Sequence, residues 1–200
     1  MCSTLPDQVQ DIIQELGNIG IGSAATALSD LIEQPVQTTC CEMVPIHQEY
    51  SLHHPLNEQV IGVLFPFEKD LSGYALFIME KETVAYLLDT VMHHTEPFTE
   101  LNKENSGMLQ EITGIMVSSY LRGIAEACGV SIRVQLPAVT MDMRGSIMNE
   151  AFSLILSQES NAYWGEHDFT IEGSSSASQL LFMLPKESID KILDKLEVRI

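Results

Sequence analysis

An acid and an amide three residues apart share one face of a helix. In this chain Glu15 and Asn18 are such a pair, with Asp11 one turn before them and Gly22 one turn after. The apolar residues Val9, Ile12, Ile13, Leu16, Ala27 and Leu31 form a stripe that a helix must bury. The small polar patch is therefore aimed outward. A carboxylate pairs with cations, and a carboxamide both donates to and accepts from water. Together they could orient a water molecule against an electrophile that a partner brings. An amide cannot deprotonate water, so its contribution would be positioning.

The helix that must present this patch has a clear start. Ser3 or Thr4 can cap it, Pro6 suits an early helical position, and Asp7 favours the first turn. It should run to about Glu33 and stop before Pro35. Gly17, Gly20 and Gly22 make its middle unusually rich in glycine, each costing about 1 kcal/mol relative to alanine. That cost points to close packing, or to close approach of a partner, at this turn.

Strands are expected at 36–50, 59–67 and 71–79, the last two joined as a hairpin through Glu68-Lys69-Asp70, with a helix over 81–93. The pattern then starts again. Thr99 reads as an N-cap for a long helix to about Cys128, ended by Gly129. Strands follow at 131–142, 151–158 and 178–184, with another between Ala162 and Glu172, and a closing helix spans 187–196. Residues 75–91 align with 180–196: Phe77 on Phe182, Lys81 on Lys186, Glu82 on Glu187, Leu88 on Leu193, Asp89 on Asp194. The long helices align too, Glu15 on Glu111 and Ser23 on Ser119, but Asn18 falls on Gly114. This reads as an internal duplication, about 5–95 and 99–200, within a single domain. Each half alone would have a weak core.

Composition narrows the function. The 200 residues hold 10 basic and 28 acidic side chains, a net charge of −18. Such a surface repels phosphate backbones and anionic lipid, so neither nucleic acid nor membrane is an expected partner. There is no apolar run long enough to span a bilayer and no secretory signal. Cys2, Cys40, Cys41 and Cys128 lack C-x-x-C spacing, as expected of reduced thiols in a cytoplasmic protein. The pairs His53-His54 and His93-His94 lack the i,i+4 geometry of a helical metal site, and no metal of the chain's own is expected. The ten methionines read as core filling, and Trp164 as a partly buried residue at a sheet edge. The GSSSAS run at 173–178 reads as a turn, because no basic residue or helix start follows it.

The chain resembles the CheC/CheX/FliY phosphatases of bacterial chemotaxis. That family carries [Asp/Ser]-x-x-x-Glu-x-x-Asn followed by a distant proline, often twice. Here the first copy is Asp11-x-x-x-Glu15-x-x-Asn18, within DIIQELGNIGIGSAATALS, and the second is the degenerate Gly107-x-x-x-Glu111-x-x-Gly114. Pro137 lies where the family spacing puts it, and LPAVTMDMRGSI (136–147) is similar to the family's Pro-Ala-Val-x-x-Asp stretch. In the first half Pro45 lies a few residues too far on, so either there is an insertion near 38–43 or the proline is Pro35.

The resemblance implies dephosphorylation of the phospho-aspartate of a CheY-like response regulator. Asn18 would orient the attacking water and Glu15 would pair with the regulator's lysine. Asp11 and Gly22 would support the site, and Glu111 with Gly114 would be an inactive second site. No cofactor of the chain's own is implied, because the regulator supplies Mg²⁺. The alternative is a non-catalytic module that binds a response regulator, or a CheD-like deamidase on its second half. A homodimer paired through sheet edges is a third reading. The sequence shows no added switch-binding domain and no extended regulator-binding peptide, which argues against a motor component. The expected fold is α+β: a pseudo-two-fold duplicated domain with a central, mainly antiparallel sheet and the two long helices packed on one face.

Overall fold

In the computed structural model the described residues are 4–40, 43–46, 55–92, 98–172, 174 and 177–198. The elements run α1 (Asp7–Ile32), β1 (Val36–Cys40), β2 (Val44–Pro45), β3 (Gln59–Lys69), β4 (Gly73–Met79), α2 (Lys81–Met92), α3 (Lys103–Cys128), β5 (Ile132–Val134), β6 (Ala138–Met143), α4 (Arg144–Gln158), β7 (Ala162–Ile171), β8 (Ala177–Pro185) and α5 (Lys186–Lys195). The eight strands form one sheet in the order β1-β7-β8-β4-β3-β5, with β2 added on β7 and β6 on β3. Every pairing is antiparallel. The fold is α+β, as expected.

The register at the centre is symmetric. The alignment that sets Phe77 on Phe182 also sets Tyr74 on Gln179, Leu76 on Leu181 and Ile78 on Met183. Between β4 and β8, Leu76 pairs with Leu181, flanked by Tyr74↔Met183 and Ile78↔Gln179. Exchanging the aligned residues turns one flanking pair into the other and leaves Leu76↔Leu181 in place. Each hairpin's outer edge takes strands from the other half: β1 and β2 lie on β7, and β5 and β6 lie on β3.

All of β4 is buried because helices cover both faces of the sheet. On one face Ala75, Phe77 and Met79 share a core with Ile13, Leu16 and Leu28 of α1 and Met116, Tyr120 and Ile124 of α3. Val84 and Leu87 of α2 and Ile189 and Ile192 of α5 close the same core. On the other face Leu76 and Ile78 meet Ile147, Phe152 and Ile155 of α4, and Trp164 packs on Phe152 with ring centroids 5.4 Å apart. Each such aliphatic side chain gains about 1.5–3 kcal/mol by leaving water. Near this face Arg144, only 2% exposed, bonds the Gln179 amide oxygen, and the Gln179 amide nitrogen bonds Glu166.

The structure corrects several expectations. Residues 151–158 belong to α4, because Ile147, Met148, Ala151, Phe152 and Ile155 fall at helical spacing once the window reaches back to Arg144. The N-cap of α3 is Asn102, not Thr99: its side chain accepts from the backbone N–H of Glu104 and Asn105, and Asn105 returns the bond. Among the described residues no side chain caps α1, whose Pro6 carbonyl accepts from Val9 and Gln10, so Thr4 does not cap it; Ser3 lies outside the described residues. The strand expected at 36–50 is two short ones, with 41–42 and 47–50 outside the described residues, as are both histidine pairs. Trp164 is buried within β7 rather than partly exposed at an edge. The run at 173–178 is described only at Ser174 and from Ala177, where β8 begins.

Candidate functional site

The polar patch of α1 stands on a closely packed base. Leu16 and Gly17 are buried, while Asp11, Glu15, Asn18 and Gly22 are exposed along one face. Among the described residues neither Glu15 nor Asn18 has a hydrogen-bond or ion-pair partner inside the protein. Both side chains are therefore available to a second molecule. Ile19 is beside them and 39% exposed.

The glycines of this turn divide by role. A β-carbon on Gly20 would lie 2.9 Å from the Tyr120 ring of α3, closer than such contacts allow. On the reciprocal side, a β-carbon on Gly123 would lie 3.0 Å from Ser23 Oγ and 3.3 Å from the Ile19 carbonyl. These two glycines set the close crossing of the long helices. Gly22 has nothing within 4 Å of its missing β-carbon. Its openness faces outward, next to the Glu15–Asn18 turn. Of the two readings of this glycine run, close packing falls on Gly20, while Gly22 lies open to solvent.

Beneath the turn a small apolar cavity is enclosed by Gln14, Gly17, Met43, Tyr120, His167 and their apolar neighbours. Tyr120 and His167 share a hydrogen bond of 3.0 Å between Oη and Nε2, and both are buried. Burial pushes the His167 imidazole down to about 4, against the raising influence of Asp168, so the ring is neutral at ordinary pH. The link runs from β7 through Tyr120 to Gly20, two residues from Asn18.

The proline question has a geometric answer. Gln10 of α1 donates to the Met43 carbonyl, and Met43 lines the cavity with Gln14 and Gly17. Pro45, two residues on, is thus the proline near the Glu15 turn. Pro35 follows the far end of α1.

On α3 the aligned positions repeat part of this arrangement. Glu111 is exposed, and Ile115, aligned with Ile19, is 38% exposed. Gln110 donates to the Pro137 carbonyl at 3.4 Å. The amide is missing at Gly114, where a β-carbon would make an ordinary 3.7 Å contact with Phe65. Gly107 has open space around it. Sequence reasoning overlooked Ile19, Tyr120 and His167. The alignment of Ile19 with Ile115 could have found the first, but nothing local announces a contact between α3 and β7.

The class defined by this fold and site is an α+β protein whose paired long helices present a free carboxylate and amide to solvent. Residues 9–39, which hold the whole patch, match the CheC-like family. The CheY-P phosphatase CheC of Bacillus subtilis (strain 168) is 24% identical over 201 residues, covering 94% of this chain and 93% of that protein. The flagellar motor switch phosphatase FliY of the same organism is 30% identical over 139 residues, covering 68% of this chain. The chain spans only 36% of that FliY's length. Among solved structures, Thermotoga maritima FliY superposes with a TM-score of 0.73 at 20% identity, covering 98% of this chain and all of the other. Over residues 9–39 in sequence, and in fold, the chain is similar to CheC-like proteins. No helix among the described residues is long and apolar enough to cross a membrane.

Proposed function

We propose that the protein is a cytoplasmic phosphatase that hydrolyses the phospho-aspartate of a CheY-like response regulator, using one active face on α1. The observation that carries this reading is the Glu15–Asn18 turn, exposed, without internal partners, and braced from below by Tyr120. The relatives named as CheY-P and motor switch phosphatases support it. The two halves are read as copies within one domain, the second having lost its amide at Gly114.

The chemistry asked of this chain is modest. The regulator carries the acyl phosphate, its Mg²⁺ and a lysine, and the chain needs no cofactor of its own. Glu15 pairs with the lysine and sets the docking geometry. The Asn18 side-chain carbonyl accepts a hydrogen from a water molecule and aims its lone pair at phosphorus, in line with the acyl oxygen. The new P–O bond forms as the bond to the aspartyl oxygen breaks. The aspartate leaves as a carboxylate, and inorganic phosphate carries away the water's protons. Asp11 keeps the rim of the face polar, and Gly22 leaves room for the regulator's loop. Ile19 supplies apolar contact beside the amide.

The test is loss of phosphate from a phosphorylated CheY-like regulator with Mg²⁺ present, comparing wild type with Glu15→Ala, Asn18→Ala and Glu111→Ala. Acceleration by wild type, abolished by either α1 change and kept in Glu111→Ala, supports the one-face enzyme. A wild type that binds a regulator without accelerating the loss supports a docking module instead. A CheD-like partner on the second half and a homodimer stay as separate proposals, tested by co-purification and light scattering.

A further inference from the structure

The chain has 10 basic residues against 28 acidic ones, yet among the described residues one surface groove is lined by three cations and no carboxylate. This groove, about 560 Å³, lies between the C-terminal half of α3 and β5. Lys69, Arg122 and Arg133 are its exposed cations, and the half-buried Ile132 and Val134 give it apolar surface. Arg133 already bonds Glu68 at the groove's margin. Lys69 and Arg122 have no hydrogen-bond or ion-pair partner among the described residues. Past Val130 the surface becomes mixed, with Lys191 and Lys195 beside Asp70 and Asp194.

Two features of the backbone add to the charge. Lys69 has φ 111°, a left-handed conformation that side-chain-bearing residues rarely adopt. A strained residue that also carries an unpaired charge is more readily explained by use than by folding. Among the described residues β5 is also a terminal strand of the sheet, paired only with β3. Gln135 donates to Pro66, and Asp70 donates to Ser131. The odd-numbered residues here therefore exchange bonds with β3, and by the antiparallel alternation the N–H and C=O groups of Ile132 and Val134 point to the free edge. An edge of this kind is a template for another strand.

We propose that this groove docks an extended acidic segment of a partner protein. The segment adds to β5 as a strand and sets a carboxylate at every second residue against Lys69 and Arg122, on the face of the sheet that Ile132 and Val134 share. In a protein this acidic, Lys69 and Arg122 are a local exception: they attract carboxylates at the groove while the surrounding surface repels them. None of the residues assigned to the phosphatase face takes part.

The probe is a fluorescein-labelled peptide of alternating Glu and Val, about eight residues long to match an ordinary strand, with a Lys–Val peptide as control. Binding is read by anisotropy and by amide hydrogen exchange. The variant is Lys69→Gly with Arg122→Gln. Glycine suits φ 111° and both sites are exposed, so the fold should survive, as a melting temperature no lower than wild type's would show. The Glu–Val peptide should bind wild type, weaken by about tenfold or more in the double variant and with added salt, and protect the Ile132 and Val134 amides. The Lys–Val peptide should not bind. Equal binding by wild type and variant, no binding of the acidic peptide, or no protection at Ile132 and Val134 would overturn the proposal. Self-association of wild type that the double variant abolishes would make the occupant a second copy of this chain, and would overturn it too.

Discussion

The ring of Tyr120 lies 2.9 Å from where a β-carbon on Gly20 would stand. The second long helix therefore presses directly on the first, two residues beyond Asn18. The exposed amide does not sit on a free helix surface: its turn is clamped from the inside by a ring that is itself held by His167.

Gly20 and Gly22 should respond oppositely to alanine. Gly20→Ala gains about 1 kcal/mol of helix propensity but overpacks against a fixed ring at a cost of about 1–3 kcal/mol, so it should lower stability and displace the Asn18 turn. Gly22→Ala meets nothing and should raise stability by about 0.5–1 kcal/mol. If Gly22 leaves room for the regulator, the same change should raise KM. Urea denaturation and steady-state phosphate release on both variants separate the two effects.

Stability should fall as pH drops from about 6.5 toward 4. Over that window the unfolded chain protonates at His167 while the folded chain, with its imidazole held down to about 4, does not. The native state binds fewer protons there, so up to about 3 kcal/mol is lost, in proportion to the shift. His167→Gln keeps a hydrogen-bonding side chain for Tyr120 and removes the titration. Its urea midpoint should change less than wild type's over the same pH range. Parallel curves would mean that His167 does not titrate differently on unfolding.

The second face can be asked whether it still docks a regulator. A β-carbon at Gly114 fits at 3.7 Å from Phe65, and Glu111 and Ile115 are already exposed. Gly114→Asn in an Asn18→Ala background should therefore recover several-fold of the lost rate, with stability changed by less than about 1 kcal/mol. No recovery from a folded protein would mean that α3 does not present the regulator with the geometry of α1.

What the sequence made legible follows from how local each signal is. The apolar stripe of α1, Pro35 after it and Gly129 after α3 are short-range, and both long helices stop within a residue or two of their expected C-terminal ends, while the N-cap of α3 is Asn102 and not Thr99. β3, β4 and β8 were readable as apolar runs because both faces of the sheet are covered, whereas Glu166, His167 and Asp168 interrupt the apolar residues of β7 and make it read as polar. α4 was missed because AFSLILSQ, taken alone, resembles a strand, and its helical spacing needs Ile147 and Met148. The cap of α3 went to Asn102 over Thr99 because Asn102 and Asn105 can satisfy each other's backbone. At the site, exposure of Glu15 and Asn18 followed from helical periodicity. The Tyr120–His167 bond spans 47 residues and joins a helix to a strand. No local pattern encodes such a contact, so the brace under the turn came only from the structure.

The central claim is that Asn18 acts on the water and not on docking. The most direct measurement pairs single-turnover dephosphorylation with binding to the same regulator held in its beryllofluoride form, for wild type and Asn18→Ala. One hydrogen bond to a charged centre is worth about 1.5–3 kcal/mol, so the rate at saturation should fall about 10- to 100-fold while the dissociation constant stays within about twofold. If Asn18→Ala binds far more weakly yet turns over at the wild-type rate when saturated, the amide is a docking contact and the account of the site is wrong.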